Sequence, residues 1–490
     1  MISFISVPNG VKVPGTYVEF DTSKAIQGAR IQSYKALLVG QRLSTGTKPA
    51  GQIDVITSAA QAREYYGPGS MLYHMVKAFI GENKGLNALY AIALDDDGAG
   101  VKAAGSIDVN VTTAVAGTLH VMIGGRAYDV AVAAGQSANS IAAALIAAIN
   151  ADADRHVDAV VNGGDASIAD LSYRHKGVVG NDIDVRANYY AGEELPGGVT
   201  LVITQLTGGT TDPGVASVIT AMGEQQYHVI GSAYANSTAL GLFQTEMQDR
   251  WGPVRANDGQ YIYARNESYA NHLTHLTSRN NEQESVMNSA GPTPSFEWAA
   301  NVAAVVAREG QQDPARPMQT VALTQVLAPM ESERFDHSER NELLKQGSST
   351  FYVDGSEIVR IERMRTTRTQ NQFSVDDESL ADLNPKLTLS YLRYDFRANW
   401  LTKYPRHKLA NDGTRFGPGQ AIMTPKIAKA EAIAKFRQWE DLGLVEGIDQ
   451  FKRDLIVERN ASDPTRLDFM LPPDLVNQLR VVGVQIGFLL

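Results

Sequence analysis

Residues 351–405 constrain the fold of this chain more than any other stretch. They read FYVDGSEIVRIERMRTTRTQNQFSVDDESLADLNPKLTLSYLRYDFRANWLTKYP. A β-prone run at 357–363 leads into Arg365-Thr366-Thr367-Arg368 and crosses an Asp/Asn-rich link. It then enters a run in which Leu389, Leu392, Phe396 and Trp400 recur at spacings of three and four. That spacing predicts a long helix with a buried face. The helix must stop near Lys403-Tyr404-Pro405, because the residue before a proline is held out of the helical region. The stretch therefore reads as a junction between an α/β body and a smaller C-terminal domain.

Upstream, strand and helix patterns alternate. Runs at 36–39, 58–66, 71–79 and 88–93 read as strand, helix, helix and strand. The rhythm resumes at 215–224, 227–231, 237–248, 261–264, 272–280, 285–287 and 295–308, with a last short helix at 337–345. Such alternation predicts a sheet flanked by helices with much parallel pairing. Between about 101 and 210 the texture turns to Thr, Gly, Val and Ala. Strands are expected at 107–113, 119–123, 128–132, 157–161, 182–190 and 199–205, a hairpin at Gly124-Gly125, and a helix at 137–150. This segment reads as an inserted α+β domain.

Downstream, Thr424-Pro425 opens a helix over 426–442 as a cap followed by proline in the first turn. Ile427, Ala430, Ile433, Phe436 and Trp439 form its apolar stripe, with Lys426, Lys429 and Lys435 mainly off it. Strands are expected at 451–458, 466–471 and 479–489. In the last, Val482, Val484, Ile486 and Phe488 share one face. Burying four such side chains contributes about 6–12 kcal/mol, while ordering about eight residues costs roughly 1–2 kcal/mol each. A lone terminal arm is therefore marginal, and many copies on a lattice would hold one another by β-augmentation. At the other end, residues 1–30 offer short extended pieces around Phe4, Val11, Val13, Tyr17 and Phe20, too meagre to fold alone.

The chain has 490 residues, 44 basic against 54 acidic, and a net charge of −10, a balance that argues against a dedicated nucleic-acid binder. It has no cysteine, which removes disulfides, thiolate zinc and a cysteine nucleophile. No apolar run is long enough to span a bilayer, and the N-terminal residues lack a signal-peptide pattern. Catalytic motifs are missing. His272 and His275 lie near Glu267 and Glu282 without the HExxH order, and His74, His228, His337 and His407 have no nucleophile elbow beside them. Gly208-Gly209 and Gly177–Gly180 lack phosphate-binding spacing and read as turns. Asp95-Asp96-Asp97 reads as a solvated turn rather than a calcium loop. Arg360, Arg363, Arg365 and Arg368 alternate with Glu357 and Glu362, which favours ion pairing between subunits or a solvated strand over a polyanion site.

Taken in order, VPNGVKVPGTYVEFD at 7–21, the Arg-Thr-Thr-Arg passage, the helix at 387–404 and the ending PTRLDFMLPPDLVNQLRVVGVQIGF resemble the contractile phage tail sheath proteins, in particular those of Mu-like myophages. The resemblance implies an α/β multidomain chain. A subtilisin-like α/β body without a catalytic role would occupy 31–100 and 211–350, with an outward inserted α+β domain at 101–210. A small α+β C-terminal domain would occupy 351–480, with linking arms at 1–30 and 481–490, the latter a terminal exchange strand.

It further implies self-assembly as hexameric rings or a six-start helix, with tail tube, baseplate and tail terminator proteins as partners. No cofactor and no direct nucleic-acid or membrane contact are implied. The chain would reside in the virion tail after assembly in the host cytoplasm. Candidate interface residues are Phe4, Val11, Val13, Tyr17, Phe20, Arg365, Arg368, Lys426, Lys429, Lys435, Val482, Val484, Ile486 and Phe488, with the three lysines facing the tube. A subtilisin-like hydrolase and a non-contractile structural or binding protein remain as alternatives.

Overall fold

The computed structural model describes residues 32–489 except 86 and 290. Strand β1 (Lys35–Gln41) is buried along nearly its whole length, as an apolar run in the middle of a parallel sheet should be. It is followed by β2 (Ile53–Ile56), α1 (Ala59–Tyr66), α2 (Met71–Asn83) and β3 (Ala88–Leu94). Both helices begin at a serine cap. Ser58 Oγ accepts from the Gln61 amide at 3.1 Å and Ser70 Oγ from the Tyr73 amide at 3.2 Å, which satisfies donors the first turn leaves free.

The next segment builds two antiparallel sheets and one helix. Its elements are β4 (Lys102–Val111), β5 (Gly117–Ile123), β6 (Arg126–Val132), α3 (Ala138–Ala151), β7 (Val157–Val161), β8 (Ile168–Lys176), β9 (Val185–Ala187) and β10 (Val199–Thr207). One sheet runs β10-β4-β8-β7 and the other β6-β5-β9. Gly124 and Gly125 both have positive φ, +54° and +76°, which a two-residue hairpin between β5 and β6 requires. Ile141, Ala142, Leu145 and Ile149 make the buried row of α3. β8 lies outside the strands expected from sequence, and the expected strand at 182–190 is a 3₁₀ turn, Val178–Asp182, followed by only three residues of β9.

The parallel sheet resumes with α4 (Ala216–Met222), β11 (Val229–Ser232), α5 (Ser237–Trp251), β12 (Gln260–Arg265), α6 (Tyr269–Leu276), β13 (Glu284–Asn288) and α7 (Ser295–Gln312). Its order is β13-β12-β11-β1-β3-β2, parallel except for β2 at one edge. The alternation in the sequence thus produces the mostly parallel sheet it predicts. α7 is buried almost all round and packs on β1, β11, β12 and α2. Small residues permit that approach: a Cβ on Gly231 would stand 3.0 Å from Ala303 Cβ and 2.8 Å from Leu38 Cδ2.

Then come α8 (His337–Lys345), whose Asp336 and Glu339 form a capping box, β14 (Thr350–Val353), β15 (Val359–Arg363) and α9 (Leu383–Lys403). These elements are stitched to the parallel sheet. The Ser349 amide donates to Val286 O at 2.8 Å, the Thr367 amide to Glu284 O at 3.0 Å, and Trp298 packs on Phe351 with ring centroids 4.8 Å apart. α9 ends where the proline requires. Its buried row differs from the expected stripe, however: Leu389, Phe396 and Trp400 are only partly buried, while Lys386, Asp395 and Asn399 are buried. Polar residues suit this face because Lys386 Nζ donates to Gly259 O at 2.7 Å and Arg393 Nη1 to Trp251 O at 2.7 Å and Asp258 Oδ1 at 2.8 Å.

Gln32–Lys403 together with 473–489 is one compact unit, and Tyr404–Pro472 is another. The second unit holds β16 (Lys408–Leu409), β17 (Ile422–Met423), α10 (Pro425–Asp441), β18 (Val445–Glu446), α11 (Ile448–Asp454), β19 (Ile456–Arg459) and β20 (Leu467–Met470). Thr424 caps α10, with Pro425 in its first turn. The strand expected at 451–458 is instead a helical turn followed by β19. Gly447, in the left-handed region at φ +78°, starts that turn, and Phe451 stacks on Phe436 with centroids 4.1 Å apart.

Candidate interaction surfaces

Residues 478–480 are tied to the larger unit. Gln478 Nε2 donates to Ala315 O at 3.2 Å and Arg480 Nη2 to Asn384 Oδ1 at 3.0 Å. Beyond them the expected terminal strand is not formed: among the described residues, nothing from Val481 onward pairs in a sheet. Val482, Val484, Ile486 and Phe488 are 70%, 76%, 83% and 78% exposed. Alternating apolar side chains without a backbone partner have the sequence of a strand and lack its other half. A two-stranded sheet elsewhere shows the complementary condition. β19 and β20 pair only with each other among the described residues, and the opposed Ile456 and Met470 are about half exposed.

The basic candidates stand differently from expectation. Arg365 is buried, with Nη1 2.9 Å from Glu378 Oε2. Arg368 pairs with Asp377 at 2.6 Å and Glu282 at 3.4 Å. Both arginines are paired inside the subunit, the Asp/Glu-rich link after them folding back to supply Glu378 and Asp377. Lys435 is buried, with Nζ 2.9 Å from Gln438 Oε1, and Lys429 Nζ donates to Leu455 O at 2.8 Å. Only Lys426 of the three lysines is exposed. The lysines therefore do not form one outward row. α10 is rotated relative to its expected stripe: Ala428, Ala432, Phe436 and Trp439 face inward, and Ile427 and Ala430 are exposed. Phe4, Val11, Val13, Tyr17 and Phe20 lie outside the described residues.

The histidines divide into two groups. His272 Nε2 is 2.9 Å from Ser348 Oγ and His275 Nε2 is 2.8 Å from Tyr263 OH, which supports a structural role for each. Burial lowers His272 to about 4 and His275 to about 3. His228 stacks on Tyr34 at 4.4 Å, its Nδ1 accepts from the Lys35 amide at 3.0 Å, and burial lowers it to about 3.

His74 on α2 and His156 before β7, by contrast, meet Glu297 in the first turn of α7. One ligand-capable atom from each lies within 4.8 Å of the other two. His156 Nε2 is 3.4 Å and His74 Nδ1 3.9 Å from Glu297 Oε1. This cluster was not visible in the sequence, since 74, 156 and 297 share no spacing motif and meet only through the fold. Among the described residues no helix is long and apolar enough to cross a membrane.

Comparison with known families accounts for the architecture. Residues 208–367 match the phage tail sheath protein central domain and residues 375–488 the phage tail sheath C-terminal domain. The chain therefore belongs to the phage tail sheath family, as a sheath subunit of a virion tail. It is 40% identical to the Mu-like prophage FluMu tail sheath protein of Haemophilus influenzae over 490 residues, covering all of both chains. The sheath tail protein of Desulfitobacterium hafniense has a similar fold. Its TM-score is 0.50 at 13% identity, covering 95% of this chain and 97% of that one. The sheath tail protein Lin1278 of Listeria innocua gives a TM-score of 0.48 at 13% identity, covering 93% and 95%.

Proposed function

We propose that this chain is a contracting sheath subunit whose C-terminal segment, 481–490, joins copies by adding a strand to the β19–β20 sheet of a neighbour. The single observation that carries this reading is the exposed row Val482, Val484, Ile486 and Phe488, which has strand periodicity and, among the described residues, no strand partner. Pairing with β19 or β20 would supply backbone hydrogen bonds, and the row would cover Ile456 or Met470.

On this reading the copies form hexameric rings or a six-start helix around a tail tube, bounded by baseplate and terminator proteins and assembled in the host cytoplasm. The parallel-sheet body, with subtilisin-like topology, serves as a rigid element without catalysis. Residues 101–210 face outward. The N-terminal residues Phe4, Val11, Val13, Tyr17 and Phe20 form the second linking arm, and Lys426 faces a partner. Contraction is a change between two packings of the same subunits, with the free energy stored in their difference, so no nucleotide is consumed.

Electron microscopy of the purified chain and of a 481–490 deletion tests this. The full chain should give hollow, helically ridged tubes and the deletion only dispersed, folded subunits. Normal tubes from the deletion, or no ordered polymer from the folded full chain, would overturn it.

A further inference from the structure

The cluster of His74, His156 and Glu297 has no assigned role in a sheath, and its chemistry is specific. Both imidazoles are buried. His74 Nε2 and His156 Nε2 each lack a hydrogen-bond partner, although buried polar atoms are normally satisfied. Packing fixes the rings: His74 lies 4.2 Å from His156 and 5.1 Å from Tyr73, and His156 lies 6.0 Å from Phe296. The β5–β6 hairpin closes over the site. A Cβ on Gly124 would stand 2.7 Å from His156 Cδ2, so that position requires glycine for space as well as for its positive φ.

The three residues line a cleft of about 260 Å³ bounded by Gly124, Gly125, Arg126, Lys77 and residues 324–327. The Leu327 amide, held by Thr293 Oγ1 at 2.9 Å, fixes that last wall.

We propose that His74, His156 and Glu297 bind one divalent transition-metal ion, with zinc the best chemical match, and that the ion clamps the segment carrying β4–β10 against α2 and α7. Two imidazole nitrogens and one carboxylate are a borderline-soft donor set that zinc accepts, with a remaining position open to water in the cleft. Metal–ligand bonds of roughly 2.0–2.1 Å place tetrahedral ligand atoms about 3.3 Å apart. The His156 Nε2–Glu297 Oε1 pair at 3.4 Å already has that spacing, and the ligand atom of His74 lies within 4.8 Å of the other two, so a small rotation of that ring brings it in.

Arg126, which also lines the cleft, is compensated, since its Nε donates to Asp152 Oδ2 at 2.7 Å. Glu297 sits in the first turn of α7, where the helix dipole favours a carboxylate.

The test uses the untagged full chain, treated with chelator and titrated with zinc chloride, with bound metal measured after gel filtration. The expected result is one zinc per chain, with affinity lowered at least tenfold in His156→Gln and in Glu297→Gln and unchanged when the exposed His337 and His407 are both replaced by Gln. Cobalt(II) binding to the unaltered chain gives a second readout that depends on no variant folding. Visible ligand-field bands saturating at one equivalent are expected, displaced by zinc. The proposal is overturned if the folded chain takes up no stoichiometric zinc or cobalt, or if folded His156→Gln and Glu297→Gln bind it as the unaltered chain does.

Discussion

Arg365 Nη1 lies 2.9 Å from Glu378 Oε2, the guanidinium buried and the carboxylate at the surface. Ser349 and Ser285 hydroxyls both donate to the Arg365 carbonyl, at 3.2 and 2.7 Å, so the residue holds β15's continuation against β13. The pair works as a strut within the subunit, in a passage that from sequence alone looked equally suited to contacts between subunits.

Removing the acceptor should therefore be felt by the isolated subunit. Glu378→Ala leaves a buried guanidinium without its charged partner and is expected to lower unfolding stability by about 1–3 kcal/mol. Urea denaturation of the unassembled protein measures it, and an unchanged midpoint would assign Arg365 elsewhere.

Phe436 and Phe451 stack at 4.1 Å inside the 404–472 unit. Phe436→Ala should cost about 3–5 kcal/mol there. Hydrogen exchange should show protection lost across α10, α11 and β19, while the amides of β1 and β3, in the other compact unit, stay protected.

Gly231 tests the packing of α7 on the sheet. Its added Cβ would meet Leu38 and Ala303 inside normal contact. Gly231→Ala should thus destabilise by roughly 1–3 kcal/mol through overpacking, measured by chemical denaturation of the larger unit.

Acid should weaken the subunit before most of its carboxylates titrate. His228 and His275 are lowered to about 3 and His272 to about 4 by burial, and His74 and His175 are lowered as well. As pH falls from about 6.5, the unfolded chain takes up protons at these positions and the folded chain does not, so stability declines through pH 6.5 to 4.5. Asp182 and Asp258 oppose them: burial raises both, Asp182 to about 6, and their protonation on acidification favours the folded state. Five histidines outweigh two carboxyls. Thermal melts across this window should show the decline, with a shallower slope in His272→Gln.

Much of the fold was readable because local signals agreed with the tertiary result. Ser58, Ser70, Ser137, Asn236 and Ser268 each cap a helix by accepting an amide, and Gly124-Gly125 forms the hairpin its composition predicts. Errors arose where periodicity was satisfied by something other than apolar packing. On α9 the inward positions carry Lys386, Asp395 and Asn399, and the Lys386 ammonium donates to Gly259 and Gln260 from a distant segment, which leaves no local mark. On α10 the alanines at 428 and 432 take the inward row while Ile427 remains exposed.

β8 has the alternation of a half-buried strand, with Ala169, Leu171, Tyr173 and His175 buried. Its inward row mixes Tyr and His with small apolar residues, and so weakens the hydrophobic signal. The terminal row has a complete strand pattern in the sequence, yet among the described residues it forms no strand.

A cryo-electron microscopy reconstruction of tubes assembled from the purified chain tests the central claim most directly. The account predicts that residues 481–489 trace as a strand hydrogen-bonded to the β19–β20 sheet of a neighbouring copy, with Val482, Val484, Ile486 and Phe488 buried. A segment folded back on its own copy, or left in solvent within an ordered tube, would contradict it.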